Sequence, residues 1–471
     1  TLLASARQPK EVGRSRTLKL NRNTHLALFA GIFTAATSLV WGGGGFTFFI
    51  ISPFILISYF IGKLTKNRVH ISLIWLFSAI LIMAPLATRY YLKVLLFSTT
   101  ISLVLVVIIS TFVEKGILST RLKSYRNYKF LSKVPPKVLA FGITILFGIL
   151  ILIVMKGADI FLIEISRLLK TLINPVYDRL GSTVQENFQP FFTEWVIYFG
   201  PSIKGFSIFF WLFFTGSIYM FNNLIKMFTK KEKWVLTLSF TFLLISMVFG
   251  RYSSESIFNG TNAPSLILYS LGILVFFSSV GYYYYKYYKN DELSLLKRID
   301  SGMLLVLLFF FLAIISARGA ARLIMILAPP TSIIVSYFTT SLFFRAKKEE
   351  GNLKLFLVIS TIVAISILLI SGFSFYKQIN SDSKDMIPSI YTQQWQKAMF
   401  WVRENTTTNA VFGHWWDYGY WLQSRGERAT ILDGGNAVDH WNYEMARYAL
   451  TGTDNQKALE FLYAHNATHF L

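Results

Sequence analysis

Residues 137–156 read KVLAFGITILFGILILIVMK, twenty positions with a lysine at each end and no charge between them. Wound as an α-helix, at about 1.5 Å per residue, this stretch spans the roughly 30 Å hydrocarbon core of a bilayer. Ten further segments read alike, at 25–41, 44–62, 71–86, 91–113, 205–221, 234–250, 264–285, 301–316, 321–343 and 354–374. The whole chain of 471 residues is 54% hydrophobic and 17% aromatic, with a mean hydropathy of +0.49. A soluble chain of this length divides into domains with polar surfaces. One small core cannot hold this much apolar sequence, and the pattern predicts an α-helical polytopic membrane protein.

The charged residues orient those spans. The formal net charge is +22, but no basic face accompanies a nucleic-acid-binding motif, so no nucleic-acid partner is expected. The positive residues gather instead in alternate loops. Lys63, Lys66 and Arg68 form one group, and Lys115 to Lys133 a second. Lys226 to Lys233, Lys286 to Arg298, and Arg345 to Lys348 complete the set. With eleven spans all of them fall on one side, together with the basic N-terminal segment, and the positive-inside rule makes that side cytoplasmic. Loop 157–204, loop 251–263 and the tail then share the outer face. Residues 1–375 are accordingly read as a multispanning domain that includes outer loop 157–204. Residues 376–471 are read as the start of an extracytoplasmic soluble domain. Loop 157–204 is longer than a connector needs to be. The tail predicts a helix over 395–404, strands over 410–412 and 429–432, and a helix over 455–464, a mixed α/β layer. The absence of cysteine excludes disulfides, thiolate catalysis and Cys-ligated zinc.

Trp415-Trp416-Asp417-Tyr418-Gly419 is the densest chemical cluster of the tail. An indole N–H only donates, an ionised carboxylate only accepts, and a phenol does both. Such a set suits a small polar target such as a hydroxyl. An aromatic core cluster is the plainer reading of the same residues, because Trp is mostly buried in folded proteins.

The surrounding sequence bears on that choice. FWVRENT at 400–406, HWWDYGYWL at 414–422 and ATILDGGN at 429–436 resemble the catalytic subunit of oligosaccharyltransferase, a GT-C type membrane enzyme, in an archaeal-like variant. Trp41-Gly42-Gly43 resembles the family's WGG span. Ser182-Thr183-Val184-Gln185-Glu186-Asn187 resembles its outer-loop glutamate motif, and Ala321-Arg322-Leu323 before Leu327-Ala328-Pro329 resembles the late span bearing its arginine. The resemblance implies transfer of an oligosaccharide en bloc from a polyprenyl or dolichyl (di)phosphate to asparagine in Asn-X-Ser/Thr. Lipid-linked oligosaccharide, acceptor polypeptide and membrane are the implied partners. The implied place is a prokaryotic, archaeal plasma membrane with the active face outside, or the ER membrane with a lumenal face in a eukaryote.

The resemblance also implies roles. Trp415, Trp416 and Asp417 would bind the Ser/Thr hydroxyl, while Tyr418 and Gly419 shape the turn. A site built around a hydroxyl rejects analogues lacking it, because its polar groups would go unpaired. Glu186 would meet the acceptor amide as the catalytic carboxylate, although a solvated loop glutamate is the commoner fate. Arg322 would contact the lipid-linked pyrophosphate through its planar fork, against the plainer reading of snorkelling to the interface. Arg318 is balanced between the two. His414 is expected to be structural, and Arg251 and Glu255 to form an ordinary ion pair. Mg²⁺ or Mn²⁺ with oxygen ligands is the implied cofactor. Its ligands would precede the WGG span, in a segment this chain does not contain, so the chain is read as a truncated, inactive fragment with no metal ligand of its own. The rivals are another GT-C enzyme using lipid-linked sugars, and a transporter or flippase with an outer cap.

Overall fold

A computed structural model describes residues 22–87, 90, 92, 95, 98–118, 133–157, 159, 163, 166, 187–200, 202–203, 206–385 and 391–471. They divide into two compact units, one ending at Ser371 and one over Gly372–Leu471.

The first unit is helical because a chain in hydrocarbon has to satisfy its own backbone. Among the described residues ten helices are long and apolar enough to cross a membrane, and Ile208–Leu224 is a shorter apolar helix. These correspond to the eleven predicted segments. The first five are α1 Arg22–Val40, α2 Phe46–Phe60, α3 Lys66–Leu86, α4 Thr99–Leu118 and α5 Pro136–Lys156. A short helix, α6 Phe192–Tyr198, precedes α7 Ile208–Leu224, α8 Lys230–Phe249 and α9 Ala263–Lys289. Then come α10 Ser301–Gly319, α11 Ala328–Ala346 and α12 Gly351–Asp385. Their ends follow local sequence. Thr65 caps α3, Asn262 caps α9 and Asp300 caps α10, each accepting from a backbone N–H of the first turn. Thr229 and Glu232 form a reciprocal capping box on α8. The buried Glu232 carboxylate also takes Lys286 and the Tyr287 hydroxyl, each at 2.7 Å, and so ties α8 to α9.

Three segments differ from their sequence reading. The helix of segment 91–113 runs over Thr99–Leu118. Segment 354–374 extends to Asp385, because its polar continuation keeps helical geometry. Segment 321–343 is not one helix. Ala320 is extended, Ala321–Leu327 is a 3₁₀ helix, and α11 starts afresh with prolines in its first turn. Pro329 and Pro330 offer no N–H to the turn before them, so a continuous α-helix cannot run through. Non-helical backbone at membrane depth is tolerated where protein buries it, and Ile324, Ile326 and Leu327 are buried. One buried cluster holds Phe210, Phe213, Leu243, Phe310 and Ile334, and another, on α1 to α4, holds Trp75, Met83 and Val104.

The second unit contains a parallel three-stranded sheet. Strands β3 Val411–Gly413, β4 Ala429–Thr430 and β5 His469–Phe470 lie in the order β4-β3-β5, after a first pair β1 Ser202–Ile203 and β2 Phe206–Ser207 in the other unit. Phe412 stands opposite Thr430 on one side and His469 on the other. Helix α13 Gln393–Asn405 buries Met399 and Val402 with Phe412 and Leu422. Helices α14 Asp439–Glu444 and α15 Asn455–Ala464 carry the chain from β4 to β5. Both predicted helices and both predicted strands of the tail are present. The third strand, β5, lies at the C-terminal end, where the sequence also reads as a strand. The chain is thus an α-helical polytopic membrane protein with a small mixed α/β layer at its C-terminal end.

Candidate functional site

The aromatic motif leaves the end of β3. Trp415 is extended, and the backbone then tightens into a 3₁₀ turn over Trp416–Tyr418, closed by the Tyr418 N–H donating to the Trp415 carbonyl at 3.1 Å. This turn divides the five side chains. Trp416 packs against the cluster of Ile431, Leu432, Met445 and Phe461. Tyr418 stacks on Trp395 of α13 at 4.7 Å between ring centroids and lies 6.0 Å from Trp421. Gly419 is buried under the 432–433 loop, where a Cβ would stand 2.4 Å from the Leu432 carbonyl oxygen. Trp415 and Asp417 are left over. Trp415 is half-buried with its ring 6.2 Å from Trp416, and Asp417 is exposed. No hydrogen bond occupies the Trp415 indole N–H or the Asp417 carboxylate among the described residues. A donor and an acceptor therefore stand open two residues apart in sequence, mounted on three anchored neighbours.

His414 supports the turn from beneath. It is fully buried, with Nδ1 2.6 Å from the Trp415 carbonyl. Burial pushes its pKa down, against that hydrogen bond and the charge of Asp433, which favour the cation. Asp433 is held in turn, accepting from the Gly435 N–H at 2.7 Å and the Gln423 amide at 2.9 Å.

A second constellation lies in the membrane unit. Glu186 lies outside the described residues, but the chain immediately after it is fixed. The Phe188 carbonyl accepts the Ala321 N–H at 3.0 Å, one residue before Arg322. Arg322 itself is exposed on the 3₁₀ helix, and no hydrogen bond or ion pair holds its side chain among the described residues. Arg251 does more than the sequence suggests. It forms no ion pair with Glu255. Its Nε donates to the Gln189 carbonyl at 3.2 Å and its Nη1 to the Asn259 carbonyl at 2.7 Å. Its guanidinium lies 4.0 Å over the Phe191 ring, and its own carbonyl accepts the Phe192 N–H at 2.9 Å. Burial, with the like charge of Arg318 adding, holds its pKa below the ordinary arginine value. Arg251 thus fastens residues 189–192 to loop 251–262. The sequence signal for it is weak, a lone arginine after a span end. The remaining motif, Trp41-Gly42-Gly43, folds its indole over Gly43 and lines an apolar cavity of about 580 Å³ with Ile50, Met325, Ile326 and Pro329. The WGG turn and the arginine-bearing segment therefore share a wall.

Among the described residues no three His, Asp or Glu side chains come together to hold a metal ion. The Mg²⁺ or Mn²⁺ expected from sequence finds no fitting donor set in them.

No protein-family model matches the chain. Over 52 residues it is 46% identical to the dolichyl-phosphooligosaccharide-protein glycotransferase 1 of Pyrococcus furiosus, a stretch covering 11% of this chain and 5% of that relative. Over 53 residues it is 38% identical to the Arabidopsis thaliana dolichyl-diphosphooligosaccharide–protein glycosyltransferase subunit STT3B, covering 11% of this chain and 7% of the relative. The archaeal oligosaccharyltransferase AglB of Archaeoglobus fulgidus, solved with an inhibitory peptide and a dolichol-phosphate, shares the fold at a TM-score of 0.52 and 16% identity. That alignment covers 97% of this chain and 48% of the AglB chain, so the chain spans about half the length of its structural neighbour.

Proposed function

We propose that this chain, a relative of the oligosaccharyltransferase catalytic subunits, carries much of the machinery that moves an oligosaccharide en bloc from a polyprenyl or dolichyl (di)phosphate carrier to asparagine in Asn-X-Ser/Thr. The observation that carries this reading is the division within residues 415–419. Trp416, Tyr418 and Gly419 are committed to packing, which leaves the Trp415 N–H and the Asp417 carboxylate for a substrate hydroxyl. A hydroxyl both donates and accepts, so the two groups suit its two needs.

Glu186 takes the N–H bonds of the acceptor amide in this scheme. An amide nitrogen is a poor nucleophile because its lone pair is shared with the carbonyl, and a carboxylate accepting from the N–H groups holds the amide twisted out of that conjugation. Arg322, exposed at the head of the broken span and unpaired among the described residues, meets the carrier phosphate. Anchoring of residues 188–192 by Ala321 and Arg251 keeps the glutamate's end of the loop in register with Arg322. A divalent cation, bound by groups outside the described residues, would polarise the phosphate. The transferring face is outside the plasma membrane in a prokaryote, or lumenal in the ER. Another GT-C transferase would need no hydroxyl-reading pair, and a transporter would need ionisable groups along a midplane path. Neither rival accounts for Trp415 and Asp417.

The test is glycan transfer by the full-length protein to peptides bearing Asn-X-Thr or Asn-X-Ala. Transfer to the first alone is expected. Equal transfer to both would remove the role given to the open pair. Asp417→Ala is expected to lower transfer to Asn-X-Thr by about tenfold to a hundredfold, the loss of one hydrogen bond to a charged group.

A further inference from the structure

Arg318 sits in the last turn of α10, and its sequence context leaves it balanced between a functional charge and a snorkelling one. Snorkelling requires the head group to reach water. Here Nε and Nη2 are both buried, and among the described residues neither makes a well-aligned hydrogen bond, the Tyr269 hydroxyl being the polar group beside the guanidinium. These two nitrogens share one edge of the guanidinium, the edge that offers two parallel N–H groups to two oxygens of one anion. The flat face of the group is already occupied, with Cζ 3.6 Å from the centroid of the Tyr269 ring, and Tyr269 is 6% exposed. The stack fixes where the open edge points.

The surroundings are short of negative charge. Arg251 is close enough to Arg318 for their like charges to oppose each other, and both its bonded side-chain donors go to neutral carbonyls. Among the described residues no carboxylate pairs with either arginine. The neighbouring Glu194 spends one oxygen on the Phe191 N–H at 2.5 Å. Gln189, held through its carbonyl by Arg251, buries a side-chain amide nitrogen that also lacks an acceptor. A guanidinium edge buried without a paired carboxylate is costly, and Glu194, which acts on Arg251 only through its charge, leaves the two arginines with a net positive charge that suits an oxyanion.

We propose that the Nε/Nη2 edge of Arg318, set by its stack on Tyr269 and backed by Arg251, is a subsite for a phosphate-type oxyanion, distinct from the exposed Arg322. That the anion belongs to a lipid-linked headgroup rests on the oligosaccharide-transfer reading. The subsite itself does not.

The test uses the full-length protein in lipid nanodiscs and three probes: a polyprenyl monophosphate, the matching polyprenol, and inorganic phosphate. Wild type is expected to bind the polyprenyl monophosphate and not the polyprenol, read by tryptophan fluorescence and thermal shift. Arg318→Gln is expected to weaken that binding by roughly tenfold or more. Arg318→Lys should recover only part of it, because an ammonium keeps the charge and loses the fork. Undiminished binding by both variants overturns the subsite. If Arg318→Gln does not fold, Arg318→Lys against wild type decides in the same way. Equal affinity for inorganic phosphate, weakened by the same substitutions, keeps the subsite and assigns it to free phosphate. Binding through Arg318 with no glycan transfer to Asn-X-Thr sinks the functional reading and leaves the subsite standing.

Discussion

Gly419 has ordinary right-handed backbone angles, φ −56° and ψ −46°, so its need is for space and not for conformation. Gly419→Ala puts a methyl 2.4 Å from the Leu432 carbonyl and 2.6 Å from the Asp433 Cα, both backbone atoms that cannot rotate away. The expected cost is about 1–3 kcal/mol, seen as a lower melting midpoint, with the acceptor KM rising as the turn shifts. His414 makes a pH prediction. Its folded pKa lies below the ordinary value near 6.5, so as pH falls the unfolded chain takes the proton first. Stability is full above that value and is lost as pH drops toward the folded pKa. The melting midpoint should fall between about pH 7.5 and 5.5, and His414→Gln should flatten that fall. An unchanged slope in the variant would place the titration elsewhere. The five motif residues stand out in sequence as a cluster of donors, acceptors and aromatic rings. Which of them are anchored is not, because the partners, Trp395 and Leu432, lie some twenty residues before and a dozen after.

At the scale of elements, Arg428 shows what composition hides. It is 7% exposed and donates to the carbonyls of Arg403, Thr406, Gly426 and Glu427 and to the Thr406 hydroxyl. Two of those carbonyls close the end of α13, which ends without a glycine cap. Arg428→Ala strands them, and a buried unpaired carbonyl costs about 1–3 kcal/mol. The substitution should speed amide hydrogen exchange over the last turn of α13 and leave exchange in α15 near its original rate. Uniform acceleration of both would mean a general loss of the unit and not of a cap. The helices themselves are legible from apolar runs, since that signal is local, while the capped starts at Lys66 and Lys230 lie four or five residues before the apolar runs begin. The 3₁₀ stretch inside segment 321–343 is not legible, because Ala321–Leu327, apart from Arg322, is as apolar as any span. The prolines that force it come only at the start of the following helix.

For the whole molecule, orientation in the bilayer remains a matter of charge. Each of Lys63, Lys230, Lys289 and Lys347 flanks a helix end on the side that the positive-inside rule assigns to the cytoplasm. The loop that Arg251 organises, together with the arginine-bearing 3₁₀ helix, then faces the other way. The proposed transfer requires that arrangement, since in it acceptor and carrier headgroup meet on the outer face. These 471 residues hold no native cysteine, so within them only the introduced thiol reacts. Ser254 and Lys348 are both exposed, one in loop 251–262 and one after α11. In intact cells Ser254→Cys should react with a membrane-impermeant maleimide, and Lys348→Cys only after permeabilisation. The opposite pattern would put Arg251 and Arg322 on the cytoplasmic side. No acceptor of the outer face could then reach them, and the proposed transfer would fail whatever the chemistry of Trp415 and Asp417.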